Sequence, residues 1–147
     1  MIKEFFQDKF DYDLQANLNW ILTLEQHESS LDEFLLRSFS HLLNVHHIWN
    51  NRLMQSTPES NTWDLLPIEY FTRIAKLNHN ETIDYLEKIE LGEKIHYHSS
   101  EGIKIEKDDI DILYHILNHS NYHRAQIALQ LRELNIIPPS LNFIVYR

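Results

Sequence analysis

Large apolar residues return along most of this chain at the spacing of an α-helical turn, not in the strict alternation of a strand. Phe5, Phe6, Phe10, Leu14, Leu18 and Ile21 step along one face of a first helix, predicted from about Lys3 to His27. A second helix is predicted from Leu31 to Gln55, with Phe34, Leu42, Val45 and Trp49 as its inward stripe, and Trp49 as a core anchor. A third covers Ile68 to Leu91 and buries Phe71, Ile74, Leu77, Ile83, Leu86 and Ile89. In the fourth, Ile112, Leu113, Ile116, Leu117, Ile127, Leu131 and Leu134 mark the inner face.

Punctuation falls between these segments. Ser29 and Ser30 break the first helix, and Ser30 with Glu33 reads as a capping box for the second. Pro58 lies just past the end of the second helix, and STPESNTWDLLP, from Ser56 to Pro67, is long enough to be a crossover. Gly92 stops the third helix. KIHYHSSEGIKIE, from Lys94 to Glu106, alternates around a Ser-Ser-Glu-Gly turn and reads as a β-hairpin. Asp108 then caps the fourth helix, which ends before Pro138 and Pro139, and the tail SLNFIVYR is expected to run extended along the bundle. Only two Gly and four Pro in 147 residues fit long helices with few turns. The predicted architecture is all-α: one domain over residues 1–147, a four-helix bundle with a long crossover after the second helix and a minor β-hairpin between the third and fourth.

Composition narrows the chemistry. Cysteine is absent, which removes disulfides, thiolate metal sites and cysteine nucleophiles, so any metal must be held by His, Asp or Glu. A formal charge of −9 without a basic stripe disfavours nucleic acid as a partner. No stretch is apolar enough to span a bilayer, and MIKEFFQDKFDYD lacks the pattern of a signal peptide, so a soluble cytoplasmic protein is expected. Aromatic residues, at 12% of the chain, permit a homodimer through helix faces without requiring one.

The chemistry-bearing stretch is HILNHSNYHRAQIALQLREL, His115 to Leu134. At about 100° per residue, His119 and His123 fall within the apolar arc of Ile112, Ile116, Ile127 and Leu134. A single inward histidine is ordinarily a core residue hydrogen-bonded to a neighbour. Two stacked ones must both lose water, and if protonated they repel each other, difficulties that a shared metal ion removes. A third ligand has to come from another helix, since three-ligand sites with one open position are the usual catalytic form. In the second helix His47 lies opposite the apolar stripe and reads as a surface residue. His41 and His46 both remain within reach of the buried side, and helical phase does not choose between them. The rival di-iron scheme needs Glu-x-x-His on two helices, whereas the one match, Glu93 to His96, falls in the hairpin. No nucleophile elbow or glycine-rich phosphate loop is present.

Taken together, HLLNVHHIWNNRL from His41 to Leu53, the His115–Leu134 stretch, YDLQANLNWIL, GEKIHYHSSEGIKIE and the closing IIPPSLNFIVYR resemble the DinB family of damage-inducible helical-bundle metalloproteins over nearly the whole chain. The family pattern places a histidine eight residues before a tryptophan, matched by His41 and Trp49. It also places two histidines four apart before Arg and Gln, matched by His119, His123, Arg124 and Gln126. The resemblance therefore implies a metal triad of His41, His119 and His123. Two positions depart from the pattern: Ala125 replaces a glycine, and Asn142 stands where an aspartate is common.

Three neutral imidazoles leave the ion's charge uncompensated, which acidifies a bound water toward a pKa of about 7 and attracts anionic ligands such as thiolates. Zinc is the first choice of metal, with nickel, iron, cobalt and manganese also compatible. Relatives that use low-molecular-weight thiols imply a thiol S-transferase, or else a hydrolase, acting on a small-molecule substrate. The alternative is a metal-binding stress protein without turnover. His46, His115, Asn118 and Tyr122 are candidates to orient the ligating rings, and Arg124 to make a structural ion pair with Glu25 or Asp13.

Overall fold

The computed structural model describes residues 1–146. Four helices carry the fold: α1 (Ile2–Gln26), α2 (Glu33–Leu53), α3 (Phe71–Lys88) and α4 (Asp109–Glu133). An antiparallel hairpin of β1 (Lys94–His98) and β2 (Lys104–Asp108), with Lys94 opposite Asp108, joins α3 to α4. α1 packs chiefly on α3 and α2 chiefly on α4, while α2 also meets α3. Cross-helix hydrogen bonds give the directions. Leu43 meets Asn78 and Asn50 meets Thr82, so α2 and α3 run parallel. His41 faces His123 while Trp49 faces His115, so α2 and α4 run antiparallel. Two parallel neighbours need a connection the length of the bundle, which is the work of the segment from Met54 to Pro67.

The interior comprises two apolar regions. One gathers Trp20, Leu24, Phe39, Leu43, Phe71, Ile127 and Leu131, the other Phe6, Phe10, Leu53, Leu86, Ile112 and Ile116. On every helix the stretch between them is polar and buried: Asp13 and Asn17, His46 and Asn50, Asn78 and Thr82, Ser120 and Arg124. This polar waist is hydrogen-bonded, as buried polar groups ordinarily are, except at Asn78 Oδ1, which has no partner among the described residues. Arg124 and Asp13, 1% and 2% exposed, form an ion pair of 2.8 Å, and the guanidinium also donates to Asn17 at 2.6 Å and Asn121 at 2.8 Å. Asp13, and not Glu25, is thus the partner of Arg124.

Several local expectations are corrected. α2 is capped by Asp32, whose carboxylate accepts from the Leu35 amide at 2.8 Å. Ser30 instead closes a short 3₁₀ turn, because the chain runs extended through Leu31 before the helix begins, and Glu33 pairs with Arg37. Gln55 in the left-handed region ends α2, with the Ser56 amide bonded back to Asn51 O, several residues before Pro58. At the start of α4 the Asp108 carboxylate is taken by Lys94 across the hairpin, so Asp109 accepts from the amides of Ile110 and Gly92 in its place. α3 stops at Lys88, ahead of Gly92. The tail is not extended: Phe143–Tyr146 form a 3₁₀ turn whose rings pack edge-on against Tyr12. Phe5, Phe34, Leu77 and Leu134, expected inside, lie outside; in α1 the neighbouring Phe6 and Phe10 take the inner positions.

Candidate metal centre

The antiparallel packing of α2 on α4 brings His41 against two successive turns of α4. One ligand atom from each of His41, His119 and His123 lies within 4.8 Å of the others. The ring centroids are 5.0 Å apart for His41 and His119, 4.6 Å for His41 and His123, and 4.3 Å for His119 and His123. His41 is buried and the other two half-buried.

The tautomer of His41 follows from its surroundings. Its Nδ1 lies 2.9 Å from the carbonyl oxygen of Thr62, and since a carbonyl can only accept, Nδ1 carries the hydrogen. Nε2 is left with a free lone pair. A metal-bound imidazole ordinarily gives its other N–H to such a carbonyl, which fixes the ring's orientation and tautomer. The next residue, Trp63, lies flat on His41, with centroids 3.6 Å apart and planes 9° from parallel. The crossover thus holds this one ring by both edge and face.

Electrostatics also favours an ion. Burial lowers the pKa of all three histidines. For His119, brought to about 3, the charges of His123, His41 and His115 add to burial; for His123, brought to about 4, the charge of His41 adds, against a hydrogen bond to Gln126. For His41 burial outweighs the Thr62 hydrogen bond. The three rings are therefore neutral at pH 7 and present lone pairs, not protons, to one another. Tetrahedral ligation at about 2.0–2.1 Å asks for nitrogens roughly 3.4 Å apart, so the rings need close by little more than an ångström. Among the described residues no fourth His, Asp or Glu joins the group. The donor set, the fixed tautomer and the convergence all fit a divalent ion.

The other candidates separate cleanly. His46, which helical phase leaves level with His41, turns to α3: its Nε2 is 2.8 Å from Thr82 Oγ1, and it is buried beside Phe10. His47 is partly buried and accepts from the Glu59 amide at 3.0 Å, so it is not a freely solvated residue. His115 lies tilted beside His119, with centroids 5.8 Å apart, and the Tyr122 ring stands edge-on to His123 at 5.2 Å. Asn118 is exposed. Asn142 is exposed too, with its amide bonded to Ser140 and its carbonyl to Val145. Trp49, expected as a core anchor, is only partly buried and walls a surface cleft. Sequence reasoning missed Thr62 and Trp63, which lie in an aperiodic loop and carry no positional signal. It also assigned no role to Gln126, although its spacing from His123 was visible. Among the described residues no helix is long and apolar enough to cross a membrane.

No curated protein matches the chain. The model of the DinB family matches residues 2–147, and so includes all three converging histidines and the crossover that holds one of them. By that match over essentially its whole length, the chain belongs to the DinB family.

Proposed function

We propose that His41, His119 and His123 hold one divalent ion, zinc first, and that the protein is a metal-dependent enzyme of the low-molecular-weight thiol S-transferase or hydrolase type. The observation that carries this reading is the combination of three convergent neutral imidazoles with no fourth side-chain ligand among the described residues. A structural zinc site is normally closed by four protein ligands, whereas a catalytic one keeps a position for substrate. The ion supplies Lewis acidity at that open position, and with three neutral ligands its charge favours an anionic sulfur or oxygen.

The chain's own residues do the rest. Thr62 O holds the Nδ1 proton of His41 and keeps Nε2 directed inward. Trp63 covers the outer face of that ring and excludes water from it. Gln126 donates to the Tyr122 hydroxyl at 3.0 Å, and the Tyr122 ring stands edge-on to His123 at 5.2 Å. The polar waist, with Arg124 fixed between Asp13 and Asn17, sets the rotation of α4 that aims His119 and His123. A homodimer belongs to the same reading, supported by Tyr114, Tyr122 and Leu129, which α4 leaves exposed.

Substitution with cobalt(II) tests the proposal. A thiol reaching the open position gives a sulfur-to-cobalt charge-transfer band, and the zinc-loaded protein then conjugates a small thiol to an electrophile faster than chelator-treated protein does. Cobalt uptake with a spectrum indifferent to every small thiol and anion indicates the non-catalytic, closed site instead.

A further inference from the structure

The crossover that holds His41 also bounds a second space, on the side of α2 that faces α3. A cavity of about 410 Å³ lies between these two parallel helices and is closed by Glu59, Ser60 and Leu66 of the crossover. None of the three converging histidines lines it. Its roof is fixed from α2: His47 accepts the Glu59 amide at 3.0 Å, Asn44 donates to Asp64 O at 2.9 Å, and Ser40 Oγ accepts the Leu66 amide at 3.0 Å. Walls held by the fold itself lose little freedom when a ligand arrives.

Three polar groups on these walls are unengaged. Arg73 and Glu59 both line the cavity, and among the described residues neither is ion-paired, with the other or with a third group. The Arg73 guanidinium stands 5.9 Å from the ring of Tyr70, another lining residue. On the floor, Asn78 is fully buried; its Nδ2 donates to Leu43 O at 3.0 Å, while its Oδ1 has no donor. A buried acceptor left without a donor is costly, and a ligand that brings one removes the cost. The rest of the wall is largely apolar. Leu77, which periodicity puts in the core, is 48% exposed and lines this cavity together with Leu66 and Ile74. Exposed apolar surface in a concave site is what a ligand's apolar part covers.

The two charges specify the class of ligand. An anion drawn to Arg73 is repelled by Glu59, and a cation drawn to Glu59 is repelled by Arg73. A molecule that carries both charges is favoured at both. Its carboxylate accepts from the guanidinium, and its ammonium has three hydrogens, enough for Glu59 and for the acceptor that Asn78 leaves open.

We infer that this cavity binds a small zwitterion with an apolar side chain, the chemistry of a free apolar amino acid. The site needs neither the metal ion nor the reaction proposed above.

NMR on the whole chain, with and without zinc, tests it. The side-chain amide of Asn78 and the backbone amide of Leu66 are followed during titration with L-phenylalanine, with 3-phenylpropanoate, which lacks the ammonium, and with phenethylamine, which lacks the carboxylate. Phenylalanine is expected to shift both resonances saturably and to bind about tenfold more tightly than either analogue. In Glu59→Gln the order turns, with 3-phenylpropanoate binding at least as well as phenylalanine; in Arg73→Gln phenethylamine does so. Both side chains are exposed, and two variants that change preference in opposite senses are not the signature of misfolding. Equal binding of the three ligands, an order unchanged in the variants, or shifts confined to the imidazoles of His119 and His123 overturns the inference. Failure to take up zinc overturns the metal centre alone, and the zinc-free titrations then decide the cavity.

Discussion

His41 and His46 stand five residues apart on α2, both buried, and they make opposite uses of burial. His46 faces α3. The Thr82 hydroxyl has a single hydrogen, directed to Asn50 Oδ1 at 2.8 Å or Asn78 O at 3.0 Å, so His46 Nε2 is the donor to Thr82 Oγ1. That ring is a link in a buried hydrogen-bonded network. His41 faces α4, gives its one hydrogen away from the bundle to Thr62, and turns its free lone pair toward two further imidazoles. Burial alone therefore does not mark a ligand; the direction in which the lone pair points does. One ring spends its hydrogen inside the bundle, and the other turns an open lone pair toward two more.

The largest effect expected from this contrast is on metal-linked stability. A ligand at about a thousandfold excess over its Kd adds about 4 kcal/mol to the folded state. Chelation of metal-loaded protein is expected to lower Tm by roughly 10 °C, read by calorimetry, and to do so in His46→Gln but not in His41→Ala. Equal sensitivity of the two variants to chelator breaks the comparison.

The pH dependence of stability reads the same contrast from the other side. Burial lowers the pKa of His46 from 6.5 to about 4, with a smaller opposing attraction from Asp13. Between pH 6.5 and about 4 the unfolded chain binds a proton that folded His46 does not. Its contribution is thus fully present above pH 6.5, is lost as pH falls through that window, and amounts to about 3 kcal/mol. Urea unfolding of metal-free protein at pH 7, 5.5 and 4.5 is expected to show a shallower pH slope for His46→Gln than for wild type. An unchanged slope means that His46 does not carry this burden.

A smaller effect belongs to the crossover. Trp63→Ala frees the outer face of His41 and loosens the loop that holds its Nδ1 proton, and about a tenfold loss of zinc affinity is expected, near the low end for residues that orient a ligand. Competition with a chromophoric chelator measures it, and unaltered affinity shows that the stacked indole does not hold the ring.

What the sequence disclosed follows from this geometry. The inward phase of His119 and His123 was legible because both lie on one helix and share its period, whereas Arg124 was named as an ion-pairing group from the family pattern, with its partner left between Glu25 and Asp13. The choice between His41 and His46 was not legible. α2 packs on both α3 and α4, so two positions on different sides of it are equally buried, and which neighbour each meets is a tertiary fact. Family resemblance, and not periodicity, singled out His41. Thr62 and Trp63 were hidden in a loop without a repeat. Helix starts failed where tertiary pairing outranked local pattern: Lys94 removes Asp108 from capping duty, and an extended Leu31 passes the cap of α2 from Ser30 to Asp32.

The most direct test is the metal content of purified, tag-free protein, measured by mass spectrometry for wild type, His41→Ala, His46→Ala and His123→Ala after loading with zinc and dialysis. About one ion per chain in wild type and His46→Ala, with loss in His41→Ala and His123→Ala, is the predicted result. Retention of the ion in His41→Ala, or its absence from wild type, contradicts the three-histidine centre.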